Sequence, residues 1–266
     1  MALRQQPLQV KVQPKVAVLL IGNMRSYNIT RSNLDTHLQR FYDCDLYITT
    51  YNKRFNFKSS PTAQDEEITE EKIREVYGSC VKHITIVNQD SFVEPYVRIQ
   101  GKHYACNDAL DRLYTIQKLA MLAYDVFRGE CTRNNRCYDM IIKMRPDIYL
   151  REKLLLNFSI KDNQIIVPAN DSGGGFNDHM AYGKGRVMLK YFTYYRCFHD
   201  IDKLDGDNFC DVSLIESGLR KNLVVANIEI TREQIKYDIL RDVKPQRVII
   251  TGKGQYYVKK YCETKK

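Results

Sequence analysis

The stretch Lys15-Val-Ala-Val-Leu-Leu-Ile-Gly22-Asn23-Met24-Arg25 decides the fold. Its apolar run from Val16 to Ile21 shows no polar alternation, the pattern of a strand covered on both faces, as in a parallel sheet. Glycine ends the run, and two polar residues, Asn23 and Arg25, follow at the strand's carboxyl end. Upstream, residues 1–14 are polar with two prolines and read as an arm. Downstream, Ile29, Leu34, Leu38 and Phe41 recur at roughly helical spacing, and Asp45-Leu-Tyr-Ile-Thr-Thr-Tyr51 follows as a second strand. Together these make a βαβ unit.

The alternation continues along the chain. Residues 53–69 lack periodicity and read as a long loop, after which Thr69 caps a helix over 70–77 with acids in its first turn. His83–Val87 is a third strand, and 106–127 the longest helix. Cys137-Tyr-Asp-Met-Ile-Ile-Lys143-Met144 is a fourth buried strand that runs into Arg145-Pro146-Asp147, where proline stops the ladder. Short strands at 164–168 and 178–182 flank Ser172-Gly-Gly-Gly-Phe176; helices over 186–198 and 211–221 and a last strand at 223–228 complete the reading. The expected fold class is α/β: a mainly parallel central sheet flanked by helices, with residues 15–266 forming one domain after the arm. In such sheets ligands sit beyond the carboxyl ends of the strands, so Asn23, Arg25, Thr50 to Asn52, Arg145 and Asp147 should converge on one cleft.

At 266 residues with 44% hydrophobic and 27% charged residues, the chain can bury a real core. Its eight cysteines include no C-x-x-C pair, which argues for reduced structural thiols over a zinc or redox site. No apolar h-region opens the chain and no apolar run approaches the roughly 20 residues that span a bilayer, so the expectation is a cytoplasmic protein without a transmembrane segment. Sequons at Asn28, Asn157 and Asn170 carry little weight in that setting. A net charge of +9 calls for a polyanionic partner, yet the basic residues are spread out apart from the C-terminal lysines, and no nucleic-acid-binding motif occurs. An anion-binding cleft accounts for the charge better than a nucleic-acid surface. The acidic run 199–207 is out of register with a calcium loop, and Tyr191, Tyr194, Tyr195 and Phe198 read as core.

Two turns carry the candidate chemistry. Gly22-Asn23-Met24-Arg25 is neither a G-x-G-x-x-G nor a Walker motif, but its amides and guanidinium could hold a phosphate or a base; otherwise it is a tight turn with a solvated arginine. In Arg145-Pro146-Asp147, the carboxylate could ligate Mg²⁺ or Mn²⁺ and the arginine a phosphate; otherwise the two form a local ion pair that caps the strand.

Taken in order, the opening strand with Gly22-Asn23-Met24-Arg25, the Asp45-Leu-Tyr-Ile-Thr strand, Gln117 leading to Tyr138-Asp139, Arg145-Pro146-Asp147, and Asn177-Asp178 followed by Gly183 and Met188 resemble the GT-A-fold glycosyltransferases. The likeness is to those of large DNA viruses, in particular the chlorella-virus type, and of bacterial polysaccharide clusters. The resemblance implies a nucleotide-sugar donor, a glycan acceptor, and a role in capsid or surface polysaccharide synthesis, in host cytoplasm if viral. It also implies a divalent cation, Mn²⁺ or Mg²⁺, held by a D-x-D motif. Asp147 takes that motif's second place, while Arg145 stands where the first aspartate would be. The implied donor-site residues are Gly22, Asn23, Arg25, Arg145, Asp147 and Asn177; Tyr51, just past the second strand, is by its position the candidate to stack on the base. Asp178 or Asp211 would accept the proton of the acceptor hydroxyl, unless they are a turn-closing aspartate and a helix N-cap. A nucleotidyltransferase and a noncatalytic nucleic-acid-binding module are the alternative classes.

Overall fold

A seven-stranded sheet forms the centre of the computed structural model. The structure describes residues 13–53, 67–92, 107–170, 176–193, 219, 223–224 and 226–240. The elements are β1 (Lys15–Ile21), α1 (Tyr27–Leu34), β2 (Asp43–Tyr51), α2 (Glu70–Tyr77), β3 (Val81–Val87), a single turn α3 (Gln89–Phe92) and α4 (Asn107–Arg133). They continue with β4 (Met140–Met144), β5 (Ile148–Leu150), β6 (Gln164–Pro168), β7 (Met180–Gly183), α5 (Gly185–Phe192), β8 (Glu229–Glu233) and β9 (Tyr237–Ile239). The sheet order is β3-β2-β1-β4-β7-β6-β8, with β7 antiparallel to both neighbours and every other pairing parallel. The mainly parallel sheet flanked by helices is therefore as expected.

Why β1 is apolar throughout is now explicit. Val16, Val18 and Leu20 pack under α1 and α2 with Leu34, Ile73 and Tyr77. Ala17, Leu19 and Ile21 pack on the other face against Leu119, Ala123 and Phe127 of α4 and Val187 and Met188 of α5. A strand with helices on both faces has no side to expose. Thr69 caps α2 as expected, its hydroxyl accepting from the Lys72 N–H at 3.4 Å. α1 widens into a π-turn over Asp35–Gln39, closed by the Arg40 N–H on the Asp35 carbonyl at 3.1 Å. At Gly183, a Cβ would stand 2.5 Å from Val187 Cγ1 and 3.3 Å from the Gln164 carbonyl, so β7 meets α5 and β6 at a spot where only glycine fits.

Two expectations change. The strand expected at 223–228 is absent: Leu223 and Val224 are helical, and the chain turns at Asn227, whose φ of 54° is in the left-handed region. The Asn227 and Ile228 N–H groups bond back to the Val224 and Leu223 carbonyls, a helix end followed by the strand β8. A four-residue apolar run is the same signal for a helix end as for a strand, and Leu223 spends it on the α4 face of the core. Secondly, β5 and β9 form a separate two-stranded antiparallel ribbon that periodicity does not reveal. The proposed helix 211–221 lies, apart from Leu219, outside the described residues, as do the run 199–207, the triple glycine 173–175, Tyr194, Tyr195 and Phe198.

The polar side of α1 fastens the turn between β4 and β5. Ser26 Oγ donates to the Leu240 carbonyl at 2.8 Å, and Thr30 Oγ1 to the Pro146 carbonyl at 2.7 Å. Asn33 pairs with the Leu150 backbone like a strand residue, Nδ2 donating to its carbonyl at 2.8 Å and Oδ1 accepting from its N–H at 2.7 Å. These side chains are buried, so each bond replaces one that water would otherwise make. Asn33→Ala would strand two buried backbone groups and should cost about 2–4 kcal/mol in urea denaturation. An unchanged midpoint would contradict the fastening role.

Among the described residues, no helix is long and apolar enough to cross a membrane. The described cysteines Cys44, Cys80, Cys131 and Cys137 carry free thiols, and burial pushes that of Cys44 up to about 12, as befits a packing residue.

Candidate donor-binding site

Three backbone segments meet at the carboxyl end of the parallel strands. Leu20 of β1 is in register with Met144 of β4, and Met144 with Met180 of β7. The residues just beyond β1 and β4, and those just before the reversed β7, are therefore neighbours. Gly22 turns the chain away from β1 with φ at +128°, a conformation L side chains rarely adopt, while its N–H still bonds the Thr49 carbonyl at 3.1 Å. The glycine is there for its backbone. Asn23 follows with its amide oxygen buried and unpartnered among the described residues, and Arg25 comes next with its side chain only 11% exposed.

Arg145 and Asp147 form a two-pronged ion pair. Nε and Nη2 of Arg145 donate to Oδ1 and Oδ2 of Asp147 at 2.9 and 2.7 Å. Arg25 Nη1 lies 4.0 Å from the same Oδ2. Asp147 is 1% exposed, so this carboxylate is a buried anion held between two guanidinium groups. Its carbonyl accepts from the Leu240 N–H at 2.8 Å, and the Arg145 N–H bonds the His179 carbonyl at 3.1 Å, which ties the turn to the segment entering β7. Burial works against the charge on Arg145, but the charge and hydrogen bonds of Asp147, with Asp178 and Tyr237 adding, together hold the guanidinium above its ordinary value.

The 177–179 segment is itself fixed. Asn177, fully buried, donates from Nδ2 to the Tyr237 hydroxyl and the Asn170 carbonyl, each at 2.6 Å, and accepts from the His179 N–H at 2.9 Å. Its amide fastens the loop onto β9. His179 Nδ1 is 3.0 Å from the same Tyr237 hydroxyl, and its Nε2 is 3.6 Å from Asp178 Oδ1. Asp178 thus sits beside the Arg145 turn with its carboxylate partly exposed.

Lys143 joins this cluster from within β4. It is the one charge within the apolar β4, and its buried ammonium donates to the Asp178 carbonyl. A lysine in an otherwise apolar strand was the available signal, since a buried charge needs a partner. Burial pushes its ammonium down to about 8, with Asp178 opposing, Arg145 adding to the fall and Asp147 opposing. Its ordinary value is 10.5, so between about pH 8 and 10.5 the unfolded chain holds a proton that the folded chain has lost. Stability should therefore rise with pH across that window. Relative to Lys143→Met, the wild type should gain up to about 3 kcal/mol, read by urea denaturation at the two ends. A difference independent of pH would contradict the burial of this charge.

Tyr51 is placed differently from the expected base-stacking platform. It is the last residue of β2, 8% exposed, packed edge-on to Phe92 at 6.3 Å within the core on the α4 face. Burial raises its hydroxyl pKa. Asp211 lies outside the described residues. Asp147 does not suit the divalent ion expected of it. Both its oxygens already accept from Arg145, a second guanidinium stands by, and among the described residues no group of three or more His, Cys, Asp or Glu could hold a metal. A Mg²⁺ ion demands about six oxygen ligands. Here it would have to displace the fork and settle among cations.

Residues 11–247 match the model of the family described as "Domain of unknown function (DUF7796)", and the chain belongs to that family. A search of curated proteins returns no match. Among solved structures, the crystal structure of an active-site mutant of LgtC is similar over 77% of this chain and 70% of that one, with 12% identity and a TM-score of 0.42.

Proposed function

We propose that the chain is a glycosyltransferase of GT-A type that moves a sugar from a nucleotide-sugar donor to a glycan acceptor. The observation that carries this reading is the convergence of Arg25, Lys143 and Arg145 with Asp147 and Asp178 where parallel strands end. The guanidinium groups of Arg145 and Arg25, with the Lys143 ammonium behind them, make positive surroundings suited to a diphosphate. The buried, unpartnered Asn23 oxygen beside it supplies an acceptor for a ribose or base N–H or O–H.

In the inverting form of the reaction, the acceptor hydroxyl attacks the anomeric carbon as Asp178 takes its proton. The bond from that carbon to the phosphate oxygen breaks, and its electron pair leaves with the nucleoside diphosphate. Arg145 and Arg25 neutralise the charge that develops on this leaving group, acting where the change in charge is greatest. Lys143 holds the Asp178 backbone in place. Asn177 and Tyr237 hold the same loop from the other side. The acceptor would be a glycan of a viral capsid or a cell-surface polysaccharide, made in the cytoplasm.

A thermal-shift panel of UDP- and GDP-sugars tests the donor reading. At least one should raise the unfolding temperature by several degrees, which corresponds to about 2–3 kcal/mol at 100-fold excess over Kd. No shift from any nucleotide sugar, combined with steeply salt-dependent nucleic-acid binding, would favour a binding module instead.

A further inference from the structure

We propose, building on the nucleotide-sugar reading, that the donor diphosphate is bound without a divalent metal: Arg145 and Arg25 stand in for the cation, and Asp147 is the positioning residue that aims them. The starting observation is the fork itself. Arg145 spends two of its N–H donors on Asp147, through Nε and Nη2. A guanidinium carries five, and the others have no partner among the described residues, on a side chain that is 25% exposed. The guanidinium is thus gripped along one edge, with donors left over for a second acceptor. That is the arrangement for two-pronged recognition of a phosphate by an arginine whose orientation is already set.

A metal ligand would need the reverse arrangement. A carboxylate that binds Mg²⁺ or Mn²⁺ turns free oxygen lone pairs toward the ion, and further oxygens complete the shell. Asp147 instead has both oxygens directed at Arg145, with Arg25 4.0 Å from one of them and Lys143 behind the turn. A dication at this carboxylate would cost two charge-assisted hydrogen bonds and face three positive side chains. A diphosphate at the same place costs none of those bonds and meets charge of opposite sign. Arg145 stands two residues before Asp147, so this turn offers an ion one carboxylate and sets a guanidinium beside it.

Calorimetric titration of the wild-type chain with UDP and with GDP, each in EDTA and in Mn²⁺ or Mg²⁺, tests this. At least one nucleotide should bind in EDTA with a Kd within about twofold of its value with metal. Arg145→Met should weaken that binding about 30-fold in both conditions, the loss of a charge-assisted fork. Arg145→Lys keeps a cation beside Asp147 and so guards against misfolding; it should still lose about 10-fold, because an ammonium cannot grip carboxylate and phosphate in parallel. Asp147→Asn separates positioning from ligation: it should weaken binding in EDTA and with metal alike, whereas a metal ligand would leave the EDTA value untouched. Binding that requires Mn²⁺ or Mg²⁺ would overturn the metal-free site while leaving the nucleotide reading intact. Binding of neither nucleotide under any condition would overturn both.

Discussion

Asp147→Ala should lower stability by about 3–5 kcal/mol and abolish donor binding in the same variant. The wild-type carboxylate is 1% exposed and is the counter-ion of Arg145, with Arg25 at 4.0 Å. Removing it leaves the Arg145 guanidinium without its paired anion, and only the Asp178 carboxylate remains to offset the desolvation of the cluster. The stability loss should appear as a lower urea midpoint with an unchanged slope. Treated only as a polar residue at the mouth of a strand, Asp147 would be dispensable for folding; its burial in a two-pronged ion pair makes it structural as well. Asp147→Asn keeps the volume and one acceptor and should be milder. An Ala variant as stable as the wild type would show that the pair is not buried as described.

Asp178→Asn should reduce kcat by about 10²–10⁴-fold while KM for the donor changes little, the loss expected when a general base is removed from a positioned site. The substitution preserves shape, and the Asp178 carbonyl that accepts from Lys143 is untouched. Among the described residues its ion-pair partner is His179 at 3.6 Å, and its charge acts on Lys143 and Arg145 without a direct bond, so the fold should depend on it little. Unchanged kcat would remove Asp178 from the mechanism and leave Asp211 as the proposed base. A raised KM with unchanged kcat would assign Asp178 to donor binding.

Much of the architecture was legible because buried parallel strands have a plain signature. The continuous apolar run of β1, the aromatic and β-branched residues of β2, the acids and threonine at the start of α2, and proline after β4 each have one good structural solution. β8 was not legible, since Glu229-Ile-Thr-Arg-Glu233 is an edge strand whose polar residues carry no core pattern, while the apolar residues before it belong to a helix end. β5 was hidden for a different reason: it is three residues long and is held by Asn33, from a helix 117 positions away in sequence.

For the site, strand ends predicted where Arg25, Arg145 and Asp147 gather, because chain topology alone brings them to one edge; Asp178 joins them because β7 runs antiparallel to β4, which the sequence pattern does not show. It did not predict what they do to one another. Whether a carboxylate faces a metal or an arginine is set by side-chain geometry two residues apart, and R-P-D permits both. The tie between Asn177 and Tyr237 spans 60 positions and has no local signature. Lys143 was visible as a charge in an apolar strand, yet only the position of β7 gives it a partner.

The central claim is that this edge of the sheet binds a nucleotide sugar and releases its nucleoside diphosphate. Incubating the chain with a panel of nucleotide sugars and an acceptor glycan, and resolving the nucleotide products by chromatography, tests it most directly. The expected result is release of a nucleoside diphosphate from at least one donor, lost in Asp147→Ala and Arg145→Met. Pyrophosphate as the product, which marks nucleotidyl transfer, or release that survives both substitutions, would contradict it.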